Sequence, residues 1–328
     1  MGGIATIAIS GDERARQIAS GENLFSESQL PCPAVYLGEP IDAPLSEEIK
    51  SRGTLALVDL WDASHDQVRA LRPLKTALME DDGDVYESAD LLFQPYLDGI
   101  KWNSNPIRTE NGLKLRPYEE QRNGCRVLKG SAYIVLSALI GQLRPRREPI
   151  QPLNVKRLLV TFGGTDGPGL SQRAYEVMTK VIGENGWNGH CTLLAPSGIN
   201  RINSAYSTRI TVLSGLQNLT KRLHEFDAVW CSGGVTLAEC LCLGIPVAAW
   251  GQNERQHRVI TDIALESACI NLGLGPEADL DIVQEALVHW LGPLGQESRQ
   301  EQSSNGMALV DGSGASRVVQ ELWELAKR

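Results

Sequence analysis

The residues best suited to binding chemistry lie between Ser232 and Glu239, where Ser232-Gly233-Gly234 leads into a segment of helix length. Glycine lets backbone N–H groups approach a ligand closely, and a helix that begins directly after such a turn directs its unpaired N–H groups and the positive end of its dipole at the same place. The pattern therefore predicts an anion site at a helix start. Its predicted binding residues are Gly233, Gly234, Val235 and Thr236.

Glu239 lies three residues beyond Thr236, and so about one turn into the same helix. A carboxylate there can accept hydrogen bonds from two neighbouring hydroxyls, as on a ribose. The alternative is a solvated glutamate that follows an ordinary turn. We favour the binding role because strand, glycine turn, helix and carboxylate occur together as a βαβ unit, whose ligand site lies where strand carboxyl ends meet helix N-termini.

A second glycine-rich turn, Gly163–Asp166, follows the apolar run Leu158–Phe162. It occupies the first strand-to-helix turn of its predicted domain, whereas Gly233-Gly234 occupies a later one. Two glycine-rich turns beside one crevice suit a diphosphate, because backbone N–H groups can approach it from both sides. The predicted binding residues on this side are Gly163, Gly164 and Thr165.

The segments around these turns alternate between strand-like and helix-like patterns. Short apolar runs bounded by Gly, Pro or Ser predict buried strands, and longer amphipathic stretches predict helices. Such alternation predicts an α/β protein with parallel, doubly wound sheets. The main expected strands are Ile4–Ser10, Thr54–Leu60, Lys75–Glu80, Ala89–Tyr96, Leu158–Phe162, Ala228–Trp230 and Ile245–Trp250.

The length of 328 residues corresponds to about two domains. We predict two Rossmann-like domains, residues 1–150 and 151–328, facing an interdomain cleft. The polar segment from Ile100 to Asn123 is expected to be irregular. The Pro- and Arg-rich segment from Arg144 to Asn154 is expected to be a solvated interdomain linker.

The composition excludes several classes of protein. A net charge of −9 and a pI of about 5.2 argue against a nucleic-acid partner, because phosphate contacts need clustered Lys and Arg. No run approaches the roughly 20 apolar residues of a membrane span, and the N-terminus lacks the layout of a signal peptide. The seven scattered cysteines favour buried thiols in a reducing cytoplasm over disulfides or a zinc site. We therefore expect a cytoplasmic location.

Several motifs occur in the order and spacing of one known family. Leu159–Asp166 (LVTFGGTD) resembles its strand and FGG(S/T)D turn, and Ser232–Pro246 resembles its GG(S/T)T..E....G.P element. On these motifs the chain resembles the GT-B superfamily, most closely the UDP-sugar hydrolases of pseudaminic acid biosynthesis, with SpsG-type spore-coat proteins and MurG glycosyltransferases as further relatives. Weaker correspondences are Val58–Trp61 with VD.Y, Asp81-Asp82 and Ala89–Leu92 with DD...CDLLL, Gly130–Leu136 with GP.YALLR, and the ending Asp311–Ala315.

The resemblance implies a nucleotide-sugar hydrolase in which water attacks the anomeric carbon of the sugar and UDP leaves. Within it, Glu239 would hold the uridine ribose, and N–H groups near Gly234, Val235 and Thr236 would hold the diphosphate. Gly164 and Thr165 would face the nucleotide and sugar from the other side. Residues 1–150 would form the acceptor or water side, and residues 151–328 the nucleotide-sugar side. No metal or cofactor is implied, since backbone dipoles take the developing charge.

The chain departs from this family at its start. The family begins with a strand and a G.GH..R loop, whose His is the expected catalytic base. Here the first strand, Ile4–Ser10, matches the family's second strand, so the first βα unit is missing from the N-terminal domain. Either Met1 is not the natural start, or the chain is a degenerate homologue whose cleft is completed by another segment or subunit. Loss of this central strand predicts a gap between Ile4–Ser10 and Thr54–Leu60.

A second departure concerns Arg255, which stands where the family has an Asn near the reacting sugar. An arginine can bind a phosphate or carboxylate bidentately, which predicts an altered substrate. A one-residue shift that puts Asn253 in this role is the alternative. The candidate catalytic residues are Arg255, Gln256, His257 and Trp61, and further candidates for acid or base are His65, Glu80, Asp81 and Asp82.

Three functions fit these observations. The first is a UDP-sugar hydrolase acting on an acetamido-deoxy or diacetamido-deoxy sugar, and the second is a GT-B glycosyltransferase that uses a UDP-sugar donor. The third, which the missing first unit favours, is a UDP-sugar-binding homologue or partner subunit without catalysis. All three share a UDP-sugar ligand, and the oligomeric state is left open.

Overall fold

The computed structural model describes residues 7–9, 34–36, 53–59, 63–80, 83–96, 107–109, 112–114, 118–146, 149–164, 166–183, 187–200 and 207–328. Trp61, Asp81, Asp82 and Thr165 lie outside these ranges. The chain divides into two compact units, the first made of Met1–Gln94, Glu119–Val127 and Gln320–Arg328, and the second of Pro95–Tyr118 and Leu128–Val319. The second unit thus takes in residues that the sequence assigned to the first domain, and the functional division at residue 150 stays a prediction.

Strands and helices alternate along most of the described chain. The strands are β1 (Ile7–Ile9), β2 (Ala34–Tyr36), β3 (Leu55–Val58), β4 (Lys75–Met79), β5 (Leu91–Gln94), β6 (Ile107–Thr109), β7 (Gly112–Lys114), β8 (Tyr118–Arg122), β9 (Cys125–Lys129), β10 (Arg157–Thr161), β11 (His190–Leu194), β12 (Ile210–Leu213), β13 (Ala228–Ser232), β14 (Val247–Gly251) and β15 (Ile270–Leu274). The helices are α1 (His65–Ala70), α2 (Ala138–Leu143), α3 (Leu170–Gly183), α4 (Leu219–Arg222), α5 (Val235–Leu243), α6 (Glu254–Leu265), α7 (Leu280–Leu291), α8 (Gln296–Leu309) and α9 (Gly314–Ala326).

The first unit is built on a five-stranded sheet in the order β3-β4-β5-β9-β8, in which β3, β4 and β5 are parallel. The strands β8 and β9 are joined by Asn123-Gly124, whose φ angles of 48° and 88° suit a two-residue hairpin turn. The parallel pair β1 and β2 forms a separate sheet among the described strands. The predicted gap between Ile4–Ser10 and Thr54–Leu60 stays a prediction.

The second unit contains a parallel six-stranded sheet in the order β12-β11-β10-β13-β14-β15. Because alternate residues of a strand point to opposite faces, its central strands supply two apolar layers. Leu159, Val229 and Val247 pack with α5 and α6 on one face. Leu158, Trp230 and Trp250 pack with α3 and α7 on the other. Helices therefore cover both faces, which confirms the predicted doubly wound α/β architecture.

Two expectations about connecting segments are wrong. The segment from Ile100 to Asn123 contains β6, β7 and β8 rather than irregular chain alone. Arg144, placed in a solvated linker, instead donates to the carbonyl oxygens of Cys242, Met307 and Val310 at 2.6–2.7 Å. Because these carbonyls lie at the ends of α5 and α8, the guanidinium caps two helices at once and joins the segment to the second unit.

Arg299 has a similar role at the end of α7. Its side chain is completely buried and donates to the carbonyl oxygens of Trp290 and Gly292, and of Pro152 and Leu153. Burial lowers the pKa of this guanidinium. The negative end of the α7 dipole offsets part of the cost of burying the charge. Arg299 thus fixes Pro152 and Leu153 of the predicted linker next to the end of α7 through hydrogen bonds.

The cysteines in the described part of the chain are buried free thiols, as predicted. Burial raises the pKa of Cys125 and of Cys269 to about 12, so both stay protonated at neutral pH. Within the described residues, no helix combines the length and apolar character needed to cross a bilayer.

Candidate functional site

The strand order of the second unit reverses between β10 and β13. From β10 the sheet extends through β11 and β12 on one side, and through β13, β14 and β15 on the other. In doubly wound sheets a crevice opens at this reversal, outside the carboxyl ends of the two strands, and ligands bind there. The register pairs Thr161 with Cys231, so the glycine turns that follow β10 and β13 leave the sheet side by side.

Helix α5 begins directly after the second of these turns. Gly234 is its N-cap, and among the described residues no side chain caps its first turn. The first N–H groups of a helix have no partner inside it, so those near Val235 and Thr236 are left to solvent or a ligand. Val235 is exposed and Thr236 is half-buried. The helix start therefore has the donors that the predicted anion site needs.

Gly233 brings this turn against the start of helix α6. A methyl group at position 233 would come within 2.9 Å of the Gln256 carbonyl oxygen and 3.1 Å of the Ile260 Cδ1 atom. Gly251 makes a second close approach, since a methyl group there would lie 2.8 Å from the His257 Cβ atom. Glycine is thus required here so that α6 can pack over the ends of β13 and β14.

Glu239 is buried in the second turn of α5, with only 7% of the residue exposed. Its Oε1 atom accepts a hydrogen bond from the Thr220 hydroxyl at 2.9 Å. Burial raises the pKa of Glu239, and the Thr220 hydrogen bond acts in the opposite direction. This position contradicts the alternative of a solvated helix glutamate. A buried carboxylate that has one hydrogen-bond partner among the described residues can accept further hydrogen bonds from the hydroxyl groups of a ligand.

The first glycine turn, after β10, is shaped by Gly163 and Asp166. Gly163 has a φ of +88°, a conformation that favours glycine, and a methyl group on Gly164 would meet nothing within 4 Å. Asp166 is buried and accepts hydrogen bonds from the N–H groups of Leu170 and Ser171 at 2.8 and 2.9 Å. Asp166 therefore caps α3, whereas Gly163 and Gly164 leave the turn open at the reversal of strand order.

The start of α6 carries three of the four candidate catalytic residues. Asn253 is the N-cap of this helix, and its side chain accepts from the Gln256 N–H at 2.9 Å. Asn253 thus has a structural role at the start of α6, and the choice between Arg255 and Asn253 stays a prediction. Gln256 also accepts, through Oε1, from the Gln252 N–H at 3.1 Å. Arg255, Gln256 and His257 are half-buried in the first turns of α6.

The histidines differ in their hydrogen bonds. His65 is half-buried, and its Nδ1 and Nε2 atoms contact Ser88 Oγ at 2.8 Å and Asp84 Oδ1 at 3.1 Å. Both ring nitrogens of His65 thus contact side chains of the first unit. The Nδ1 atom of His257 is enclosed and has no hydrogen-bond partner among the described residues. Trp61 lies outside the described residues, and Glu80 belongs to the first unit.

A cavity of about 490 Å³ lies elsewhere in the second unit. It is lined by residues that precede β10 and β11 and by residues of α7, including Asn154, Trp187 and His289. It is thus at the amino ends of the strands, whereas the glycine turns lie at the carboxyl ends. None of the predicted site residues lines it.

Sequence reasoning missed two polar residues of this site. Thr220, which bonds Glu239, lies in the short helix α4, and nothing in its local pattern distinguishes it. Gln252, which bonds the Phe162 carbonyl oxygen, directly follows β14. The position of Gln252 at the carboxyl end of a strand, next to two predicted turns, could have indicated that it belongs to the site.

Similarity to curated proteins is confined to part of the chain. A stretch of 108 residues is 33% identical to the spore coat polysaccharide biosynthesis protein SpsG of Bacillus subtilis, and covers 31% of this chain and 30% of that protein. A stretch of 158 residues is 25% identical to an uncharacterized protein of Methanocaldococcus jannaschii, and covers 46% of this chain and 32% of the relative. The matches therefore span about a third of each relative. No family model matches the chain.

Solved structures match over most of the chain. MurG of Acinetobacter baumannii superposes with a TM-score of 0.56 at 9% identity, covering 97% of this chain and 98% of that one. The UDP-forming α,α-trehalose-phosphate synthase of Burkholderia vietnamiensis gives a TM-score of 0.57 at 13% identity, with coverages of 88% and 76%. At such identities the likeness concerns the fold, and that fold is GT-B.

The protein therefore has the GT-B fold. Over part of its length its sequence is also similar to SpsG, in agreement with the resemblance to SpsG-type proteins drawn from the motifs.

Replacing Gly233 tests the close packing of the glycine turn against α6. Gly233→Ala should destabilise the protein by about 1–3 kcal/mol, because the new methyl group overlaps the Gln256 carbonyl oxygen. Gly164→Ala is the matched control. It should be neutral or slightly stabilising, since nothing lies within 4 Å of the added methyl group. Urea unfolding followed by tryptophan fluorescence measures both, and equal effects would contradict the assigned packing.

Burial of Glu239 predicts a distinct pH dependence of stability. A carboxyl whose pKa is raised in the folded state binds more protons there than in the unfolded state, so its ionisation weakens folding as pH rises. Glu239→Gln should therefore be more stable than the wild type at pH 7. The difference should vanish below the ordinary glutamate pKa, where both states are protonated. Unfolding free energies measured from pH 4 to 8 test this, and a variant that is less stable at pH 7 would contradict it.

Proposed function

We propose that this protein binds a uridine diphosphate sugar at the reversal of strand order in its second unit and releases UDP from it. One observation carries the proposal. The uncapped start of α5 and the buried Glu239 carboxylate lie on the same short helix, directly after a glycine turn at the position where doubly wound sheets bind ligands. The GT-B fold and the similarity to SpsG support the same site.

Each part of the nucleotide has a suitable partner in the proposal. Glu239 accepts hydrogen bonds from the two ribose hydroxyls, for which its acceptor-only carboxylate is suited. The diphosphate lies at the start of α5, where the N–H groups of Gly234, Val235 and Thr236 and the helix dipole favour negative charge. Gly163 and Gly164 face it from the neighbouring turn, and Thr165, which lies outside the described residues, stays a predicted contact. The sugar then lies towards Arg255, Gln256 and His257 at the start of α6.

The proposed reaction is a displacement at the anomeric carbon. The oxygen of water forms a bond to that carbon, and the bond to the diphosphate oxygen breaks with its electron pair staying on UDP. The proton of the water passes to a base, for which His257 is the candidate in the second unit. The helix N-terminus stabilises the negative charge that develops on the leaving diphosphate. An acetamido-deoxy or diacetamido-deoxy sugar of surface polysaccharide or nonulosonic acid biosynthesis is the proposed substrate class, supported by the spore-coat role in the name of SpsG.

Glycosyl transfer is the second candidate, because it breaks the same bond and differs only in using a hydroxyl of another molecule in place of water. The solved structures similar to this chain include the UDP-forming α,α-trehalose-phosphate synthase, whose name states that its reaction produces UDP. Binding without turnover is the third.

A binding experiment tests the role of Glu239. Calorimetric titration should show that Glu239→Ala weakens UDP binding about tenfold to a hundredfold, because two hydrogen bonds to a charged acceptor are lost. The wild type should prefer UDP to 2′-deoxy-UDP, and the variant should not discriminate between them. Glu285→Ala, an exposed residue of α7, is the control and should bind as the wild type does. Retained discrimination in Glu239→Ala would contradict the ribose assignment.

A turnover experiment separates the reactions. Incubation with UDP-N-acetylglucosamine and UDP-diacetamido-trideoxy sugars, followed by chromatography, should give free sugar and UDP in equal amounts without any added acceptor. UDP formed only in the presence of an acceptor would favour transfer. Tight UDP binding with no product under either condition would contradict catalysis and favour a binding protein.

A further inference from the structure

Gln252 connects two loops that belong to different strands of the second unit. Its side-chain Nε2 donates to the carbonyl oxygen of Phe162, the residue before the Gly163 turn. Its backbone N–H donates to Gln256 Oε1 at 3.1 Å, and the Gln256 N–H donates to Asn253 Oδ1 at 2.9 Å. One residue therefore links the turn after β10 to the first turn of α6.

The link crosses the glycine turn at the centre of the site. In the sheet, β13 lies between β10 and β14, so a residue that follows β14 must reach across the end of β13 to contact Phe162. The residue immediately after β13 is Gly233, which has no side chain and packs against Gln256. Gln252 thus spans the gap between the two glycine turns from the α6 side.

The contact also bears on the conformation of the Gly163 turn. Gly163 has a φ of +88°, and a methyl group placed on it would lie 3.8 Å from Gln252 Nε2. A glycine loses more conformational freedom on ordering than any other residue, so a neighbouring contact that restrains the turn favours its ordered state. The side-chain amide of Gln252, which lies between β14 and α6, provides this restraint through its hydrogen bond to the Phe162 carbonyl oxygen.

We propose that Gln252 is a positioning residue that holds the Gly163 turn at a fixed place relative to the start of α5, so that both sides of the diphosphate site are preformed before the ligand binds. The inference rests on the proposed binding of a UDP-sugar in this crevice. Preorganisation of this kind raises affinity because less ordering is left for the binding step. Gln252 acts through Phe162 and Gly163 rather than by contact with the ligand.

The ligand series uridine, UMP and UDP distinguishes positioning from general damage. Gln252→Met keeps the length of the side chain and removes its donor. It should weaken UDP binding about fivefold to twentyfold while uridine affinity stays within twofold of the wild type. A merely structural defect of the second unit would weaken all three ligands alike.

Gln296→Met is the matched control. Gln296 also donates a side-chain hydrogen bond to a distant backbone carbonyl, that of Gln151 at 3.3 Å, but it lies on α8, away from the glycine turns. This control should leave the whole ligand series unchanged. Gln252→Asn, which keeps the amide and lacks the reach, should repeat the selective loss of UDP affinity.

Hydrogen exchange supplies a second measurement, made without ligand. In Gln252→Met the peptide that covers Gly163 and Gly164 should exchange about tenfold faster, while the peptide of β13 stays unchanged. If wild-type UDP binding is normal and Gln252→Met shows neither effect, the inference is overturned and the proposed function stands. If the wild type binds neither UDP nor uridine, the proposed function fails, and the inference fails with it.

Discussion

The reversal of strand order between β10 and β13 determines where this protein can bind a ligand. At this position neighbouring parallel strands send their helices to opposite faces of the sheet, so no connection covers the space outside their carboxyl ends. The register of β10 with β13 then brings the two glycine turns side by side. Helix α6 packs closely against Gly233 and Gly251, next to these two turns. The topology of the sheet thus creates the crevice. The lack of side chains at Gly233 and Gly251 then allows α6 to pack beside it.

Glu239 shows the opposing demands of folding and binding. A carboxylate in this buried position loses most of its hydration, and the hydroxyl of Thr220 replaces only part of it. For stability alone, an apolar or amide side chain would serve better here. A ligand with two adjacent hydroxyls replaces the missing hydration with hydrogen bonds of defined geometry. In the proposed site the residue therefore costs stability in the free protein and would contribute affinity in the complex, which is a common pattern at functional sites.

The parts of this architecture that could be predicted from the sequence are those set by local chemistry. Glycine turns and apolar strands lie in contiguous segments, and these predicted the α/β class, while the order and spacing of the motifs carried the resemblance to GT-B proteins. The hairpin β8–β9 carried a clear local signal, Asn123-Gly124, within a segment interpreted as irregular. Long-range partners carried no such signal. Arg144 and Arg299 bond carbonyls more than 140 residues away as well as nearer ones, and only the folded chain shows these partners.

The two ends of α5 differ in how their backbone hydrogen bonds are completed. At its C-terminus Gly244 adopts the left-handed conformation with a φ of +68°, Arg144 bonds the Cys242 carbonyl, and Ser303 donates to the Gly244 carbonyl at 2.7 Å. Its N-terminus has no side-chain cap within the described chain, although Ser, Thr, Asn or Asp commonly fills that place. A cap at Gly234 would occupy the donors that an anion needs, and a side chain at Gly233 would displace α6. The satisfied end therefore fixes the helix in the unit, and the open end is where a phosphate can contribute the missing hydrogen bonds.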